Sequence, residues 1–259
     1  MIAWFVVVVL GLVVGSFVNV VIWRVPRRES VVLPGSYCPH CGTRLSPRDL
    51  VPVFSYLALK GKCRYCREPI AWEYPVVEIT NVLLYLLLYA HFGFSLQLWL
   101  FGAFFSGLLA LAFIDLHHGI LPNRLTILGI AVGLLWGGAV DLLRVWGRAP
   151  ASLTFNLGTY VAEFSILAAG LGALVGGAVV LLVVVISRGG MGLGDVKLNA
   201  MIGAFLGWRA ALYNLFVAAL LGSVVAIVLL MTGKKGRKDA IPFGPYLALG
   251  AIILTLYRG

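Results

Sequence analysis

Long, nearly uninterrupted apolar runs dominate this chain, and its polar and charged residues collect between them. A membrane-spanning helix needs about 20 mostly apolar residues. The first run covers residues 1–23, and others recur around 76–91, 97–114, 124–143, 161–187, 198–208, 210–232 and 241–257. This pattern predicts an all-α polytopic membrane protein with about eight transmembrane helices, of which 198–208 is short. Residues 24–74 hold no run long enough to span, yet carry nine of the twenty Lys and Arg residues and all four cysteines. The expected organisation is a first transmembrane helix at 1–23, one compact cytoplasmic domain at 24–74, and a helical membrane core at 75–259.

Composition sharpens this picture. The 259 residues are 61% hydrophobic and 12% charged, against roughly 45–50% and about 25% in soluble domains. A soluble enzyme, a disordered tail and a disulfide mini-protein are excluded. The net charge of +10 is read first as topology, because cytoplasmic loops of membrane proteins collect Lys and Arg; no nucleic-acid partner is expected beside the lipid bilayer. The first run lacks a basic segment before it and a small-residue cleavage pattern after it, so it reads as a retained helix and not a signal peptide. Arg24, Arg27 and Arg28 follow it directly, which puts its C-terminal end in the cytoplasm. In the same register Arg124, Arg188, Lys197 and the Lys234–Lys238 cluster fall inside, whereas Arg144, Arg148, Arg209 and Arg258 fall outside.

Cys38-Pro39-His40-Cys41 and Cys63-Arg64-Tyr65-Cys66 are two C-x-x-C knuckles whose spacing matches four-thiolate zinc modules. Two intervening residues let both thiolates of a knuckle reach one tetrahedral ion. Two disulfides, a redox pair and an iron–sulfur site compete with that reading. Reducing cytoplasm disfavours disulfides, and no βαβ pattern surrounds either pair. Four protein ligands would leave no open position, so zinc here would fold the loop and not catalyse. His40 reads as a bystander within the first knuckle.

Carboxylates beside apolar spans are costly and mark functional candidates. Asp115 closes the third run and opens Asp115-Leu116-His117-His118-Gly119-Ile120-Leu121-Pro122-Asn123; Asp195 lies in Gly190-Met191-Gly192-Leu193-Gly194-Asp195-Val196-Lys197. The topology count puts both at the inner face. Two carboxylates brought together at low dielectric share one proton. One then acts as general base on water while the other polarises a peptide carbonyl. Gly192 and Gly194 would allow an irregular backbone beside which an extended substrate lies, and Lys197 would either stabilise a carboxylate or reach to headgroups. The plain alternative makes both aspartates helix N-caps and the glycines an ordinary turn.

Taken together, the chain resembles the bacterial type IV prepilin peptidases, the GxGD-type aspartic proteases that serve as leader peptidase and N-methyltransferase in type IV pilus and type II secretion systems. The resemblance rests on Gly15-Ser16-Phe17-Val18-Asn19-Val20-Val21-Ile22 with Arg24 and Pro26, the paired knuckles, Ser55-Tyr56-Leu57, Gly61-Lys62-Cys63-Arg64, Tyr74-Pro75-Val76-Val77-Glu78, Asp115-Leu116 with Leu121-Pro122, and Gly192-Leu193-Gly194-Asp195-Val196-Lys197-Leu198. It implies that Asp115 and Asp195 are the catalytic pair and that Cys38, Cys41, Cys63 and Cys66 hold zinc. It also implies type IV prepilin or pseudopilin substrates, cleavage at the cytoplasmic face of the inner membrane, and S-adenosylmethionine as methyl donor. Asn123 stands where the family often has an aspartate, and the stretch Pro47-Arg48-Asp49-Leu50-Val51-Pro52 matches only loosely. No Gly-rich cofactor fingerprint occurs in the 24–74 domain, which leaves Glu73 and Glu78 as cofactor-site candidates by elimination, with pairing to Arg24 or Arg64 as the structural alternative. A peptidase without methyl transfer, a transporter with a regulatory zinc loop, and a non-enzymatic assembly protein are the competing functions.

Overall fold

The computed structural model describes residues 1–146, 154–157, 160–187, 190–234, 236 and 240–256. Its helices are α1 (Ile2–Arg24), α2 (Phe54–Ala58), α3 (Glu73–Phe92), α4 (Leu96–His118), α5 (Asn123–Val145), α6 (Ile166–Ile186), α7 (Leu193–Leu206), α8 (Trp208–Met231) and α9 (Gly244–Leu256). In lipid no water serves the backbone, so these apolar runs close their hydrogen bonds internally as helices. Six of them, α1, α3, α4, α5, α6 and α8, are long and apolar enough to cross a membrane. The expected count of about eight is corrected accordingly. All eight runs form helices, but α7 has 14 residues and α9 has 13, and 14 residues rise only about 21 Å where a hydrocarbon core measures about 30 Å.

The run expected at 161–187 starts later than its hydropathy suggests. Tyr160–Glu163 forms a strand, β2, paired antiparallel with β1 (Thr154–Leu157), in the register Thr154 opposite Glu163. Helix α6 begins only after Ser165, whose hydroxyl accepts the Ala168 N–H at 3.0 Å, an N-cap that satisfies one of the orphan donors of the first turn. Arg148, Arg188, Lys235, Arg237, Lys238 and Arg258, which entered the charge-based topology, lie outside the described residues.

The chain forms two compact units, Met1–Ala110 and Leu111–Gly259. In the first, α1 and α3 run antiparallel in close contact. A Cβ added at Gly11 would stand 2.9 Å from Val82 Cα, and one at Gly15 the same distance from Glu78 Cα. Small residues four apart thus bring the two backbones together, the usual device where lipid supplies no hydrophobic drive. Asn81 Nδ2 donates to Gly11 O at 2.8 Å and Asn19 Nδ2 to Tyr74 O at 3.0 Å, locking that register. Between the helices, Arg24 buries its guanidinium and donates to the carbonyls of Ser30, Pro34 and Gly35. Asp49 ties the two knuckle segments together: it accepts from Ser46 N–H and Oγ, from Arg64 Nε at 2.6 Å and from Tyr65 OH at 3.0 Å. The Arg64 guanidinium, aided by Ser46, holds the Asp49 carboxyl well below the usual carboxylate range.

In the second unit α7 is the central helix and packs on α5, α6, α8 and α9. Its contact with α6 is backbone on backbone. A Cβ at Gly172 would collide with the Gly203 carbonyl and one at Gly203 with the Gly172 carbonyl, while Asn199 Nδ2 donates to Gly176 O at 2.9 Å. Gly207, with φ +84, ends α7 and opens α8 at once, a conformation that only glycine adopts freely.

Two expectations follow from this packing. Gly203→Val forces α6 and α7 apart and costs at least about 2 kcal/mol, read as a lower unfolding midpoint in detergent, whereas Gly170→Ala, whose added Cβ meets nothing within 4 Å, is neutral or slightly stabilising. Because the Asp49 carboxyl is depressed in the folded state, its stabilisation is complete above the unfolded carboxylate value of about 4 and is lost as pH falls through the folded value. Asp49→Asn therefore makes the 24–74 segment more protease-sensitive at pH 7, and the difference from wild type narrows on acidification below about pH 4.

Candidate active site

Asp115 sits in the last turn of α4, followed by Gly119 at φ +62 and an extended passage into α5. A carboxylate there opposes the negative end of its own helix dipole. The compensation comes from far along the chain: Asp115 Oδ2 accepts the N–H of Gly244, the first residue of α9, at 2.9 Å. A side chain at Gly244 would put its Cβ 2.8 Å from that oxygen, so the approach requires glycine. Asp195 occupies the first turn of α7, and its Oδ2 accepts the Gly192 N–H at 3.1 Å. Both aspartates are buried, with 6% and 7% exposure, and among the described residues they are the only buried acids of this unit. Each is thus held by a backbone donor at a helix N-terminus, where the dipole favours an anion.

The loop between α4 and α5 docks on the start of α7. A Cβ at Gly194 would lie 2.9 Å from Leu121 Cβ, and Lys197 Nζ donates to Asn123 Oδ1 at 2.7 Å. This brings Asp115 and Asp195 together closely enough for each to sense the other's charge. The backbone at the two glycines differs from the irregular form expected from sequence: Gly192 is ordinary extended chain, φ −85 and ψ 150, and Gly194 is helical. Gly194 is small because Leu121 leaves no room. Lys197 serves the loop contact with Asn123 and not a carboxylate. His117 and His118 are exposed, and the His117 ring lies edge-on to Phe113. Gly244 was not singled out from sequence; the Gly244-Pro245 pair signals a helix start, but its partner lies 129 residues away.

In the first unit, Cys38, Cys41, Cys63 and Cys66 place their Sγ atoms within 4.8 Å of one another, with Cys38 and Cys66 at 3.9 Å. A tetrahedral ion with metal–sulfur bonds near 2.3 Å sets its sulfurs about 3.8 Å apart, so the four thiols could hold one metal ion. The two knuckles repeat one backbone design. Gly42 N–H returns to Cys38 O and Arg67 N–H to Cys63 O, at 2.9 and 3.0 Å, and Gly42 and Arg67 both take positive φ, +69 and +65. The Thr43 hydroxyl lowers the Cys41 thiol to about 6, and the Cys66 backbone N–H lowers Cys63. Cys66 is favoured as thiolate by the Glu68 backbone, but desolvation and its three sulfur neighbours outweigh this and push it up to about 12. Four thiolates so close require a cation between them.

Glu78 lies buried on α3, and its Oε2 accepts the Val53 N–H at 2.7 Å, with Ser16 and Asn19 of α1 facing the same carboxyl. The anticipated pairing with Arg24 or Arg64 does not form, since those guanidinium groups serve the loop carbonyls and Asp49. Glu78 is therefore committed within the protein and does not fit a cofactor contact. Glu73 stands half-buried in the first turn of α3.

Known proteins agree with this arrangement. The Bacterial Peptidase A24 N-terminal domain matches residues 9–92, and the Type IV leader peptidase family matches residues 102–227. Relatives named Prepilin leader peptidase/N-methyltransferase include those of Burkholderia pseudomallei (37% identical over 97% of this chain and 84% of the relative), Bacillus subtilis (32%, 96% and 92%) and Legionella pneumophila (31%, 98% and 92%). No solved structure gives a significant match. The knuckles fall inside the first matched segment and both buried aspartates inside the second, and on these matches the chain belongs to the bacterial type IV leader peptidase family.

Proposed function

We propose that this protein removes the short basic leader from type IV prepilins and pseudopilins at the cytoplasmic face of the inner membrane and methylates the new N-terminus with S-adenosylmethionine. Peptidase and N-methyltransferase activity follow from family membership. The observation that carries the mechanism is the pair of buried aspartates, each with one oxygen held by a helix N-terminal N–H. With Oδ2 of each so engaged, the Oδ1 oxygens are left to share a proton and a water. One carboxylate takes the proton of the water as it attacks the scissile carbonyl, and the other donates its proton to the developing oxyanion. The Lys197–Asn123 and Gly194–Leu121 contacts fix the spacing of the pair. The cytoplasmic orientation is supported by Arg24, Arg27 and Arg28 at the end of α1.

Zinc is the ion we assign to the four cysteines, since a closed four-thiolate shell suits a structural zinc site. Bound there, it would supply cross-linking and no open coordination position. Glu73 is the remaining candidate toward the methyl donor, and no step of methyl transfer is assigned to Glu78.

Purified protein in detergent, incubated with a synthetic prepilin-like precursor and read by mass spectrometry, tests the pair. Asp115→Asn and Asp195→Asn each lower the cleavage rate by about 10²–10⁴-fold with an unchanged unfolding midpoint, and the wild-type rate is bell-shaped in pH because the pair titrates as a unit. Full cleavage by either variant refutes the mechanism. A mass gain of one methyl group on the cleaved product appears only with S-adenosylmethionine present; cleavage without it leaves a peptidase alone. Chelation of the metal accelerates amide hydrogen exchange across residues 36–69 while α6–α8 keep their protection; uniform loss of protection argues against a local structural zinc.

A further inference from the structure

The segment between the knuckles carries an apolar face that a wholly cytoplasmic domain leaves unexplained. Val51, Phe54, Leu57 and Ala58 recur at helical spacing on one side of the chain. All are exposed, Phe54 and Leu57 each at 64%. Their depth can be read from α1 and α3, whose register sets Gly11 on Val82, Gly15 on Glu78 and Asn19 on Tyr74. Val53 donates its N–H to Glu78, which lies five residues inside α3, about 7 Å along the helix from its end. The start of α2 therefore lies alongside two spans, below their ends. Beside it, Phe17 of α1 and Ile79 of α3 present exposed apolar side chains, so the face of α2 continues a surface that lipid already covers. Exposed Arg48 and Lys60 flank the stripe, and Trp72 is exposed at the last position before α3. Apolar stripe, basic flanks and a bordering tryptophan form the pattern of an element lying in the membrane interface.

We propose that residues 50–58 dip into the boundary between headgroups and acyl chains, with Val51, Phe54 and Leu57 against lipid and with Arg48 and Lys60 on anionic headgroups. The occupant of this face is the bilayer, by continuity with α1 and α3 and by the charge of its flanks. An irregular backbone at membrane depth must find its hydrogen-bond partners inside the protein. Val53, at φ +63, does so through the buried Glu78. This gives Glu78 a task apart from cofactor binding: it accepts the one N–H that the turn into the membrane would strand.

The full-length protein carrying an environment-sensitive fluorescent amino acid at Leu57, reconstituted in phosphatidylethanolamine–phosphatidylglycerol vesicles, tests this. Lipids brominated near the top of the acyl chain reduce its emission by about two-fold or more, while aqueous iodide has little effect; at Arg67, exposed on the second knuckle, the two quenchers exchange roles. The same probe at Phe54 reads the same face should the Leu57 variant fold poorly. Iodide quenching at 54 and 57 equal to that at 67 overturns the proposal, because the face then stands in water. Protection from both quenchers overturns it as well, because protein and not lipid then covers the stripe.

Discussion

A carboxylate removed from water costs several kcal/mol unless charge or hydrogen bonds replace its solvation, and this cost organises the molecule. Among the described residues three acids are buried, Glu78, Asp115 and Asp195, and each accepts a backbone N–H: from Val53, Gly244 and Gly192. None relies on a Lys or Arg. A backbone donor brings partial charge without a counter-ion of its own to desolvate, and it leaves the second carboxyl oxygen available. For the aspartates that availability is what shared-proton chemistry uses; for Glu78 the same device secures a strained turn.

Placing those donors requires helices to meet closely, and glycine makes this possible at particular points. Gly244 lets α9 approach the Asp115 carboxyl, Gly194 lets α7 settle on Leu121, and the Gly172–Gly203 contact lets α6 and α7 touch backbone to backbone. Helix α7 is accordingly short and enclosed by α5, α6, α8 and α9. A helix so surrounded need not match the thickness of a bilayer, which accounts for an acid-bearing helix of 14 residues within a membrane protein.

The knuckle segment solves a different problem. It has little apolar core of its own and keeps its shape through few, strong contacts: four thiols about one point, Arg24 on three carbonyls, and Asp49 with Arg64. The repeated turn with positive φ at Gly42 and Arg67 shows one backbone design built twice, once with the favoured residue and once with a strained one.

Much was determined by sequence alone, because the forces concerned are local or compositional. Apolar run length predicted helices, C-x-x-C spacing predicted the thiol cluster, and acids beside apolar runs pointed to Asp115 and Asp195. Tertiary structure decided what depends on partners distant in the chain. That Gly244 would serve Asp115, that Glu78 would take Val53 and not an arginine, and that Gly194 is small for the sake of Leu121 are steric and hydrogen-bonding facts between segments, invisible to periodicity. Hydropathy likewise could not separate a spanning helix from an enclosed one, since burial by protein and burial by lipid select the same side chains. It overran the start of α6 for a related reason: the apolar residues of β2 read as helix until strand pairing with β1 claimed their hydrogen bonds.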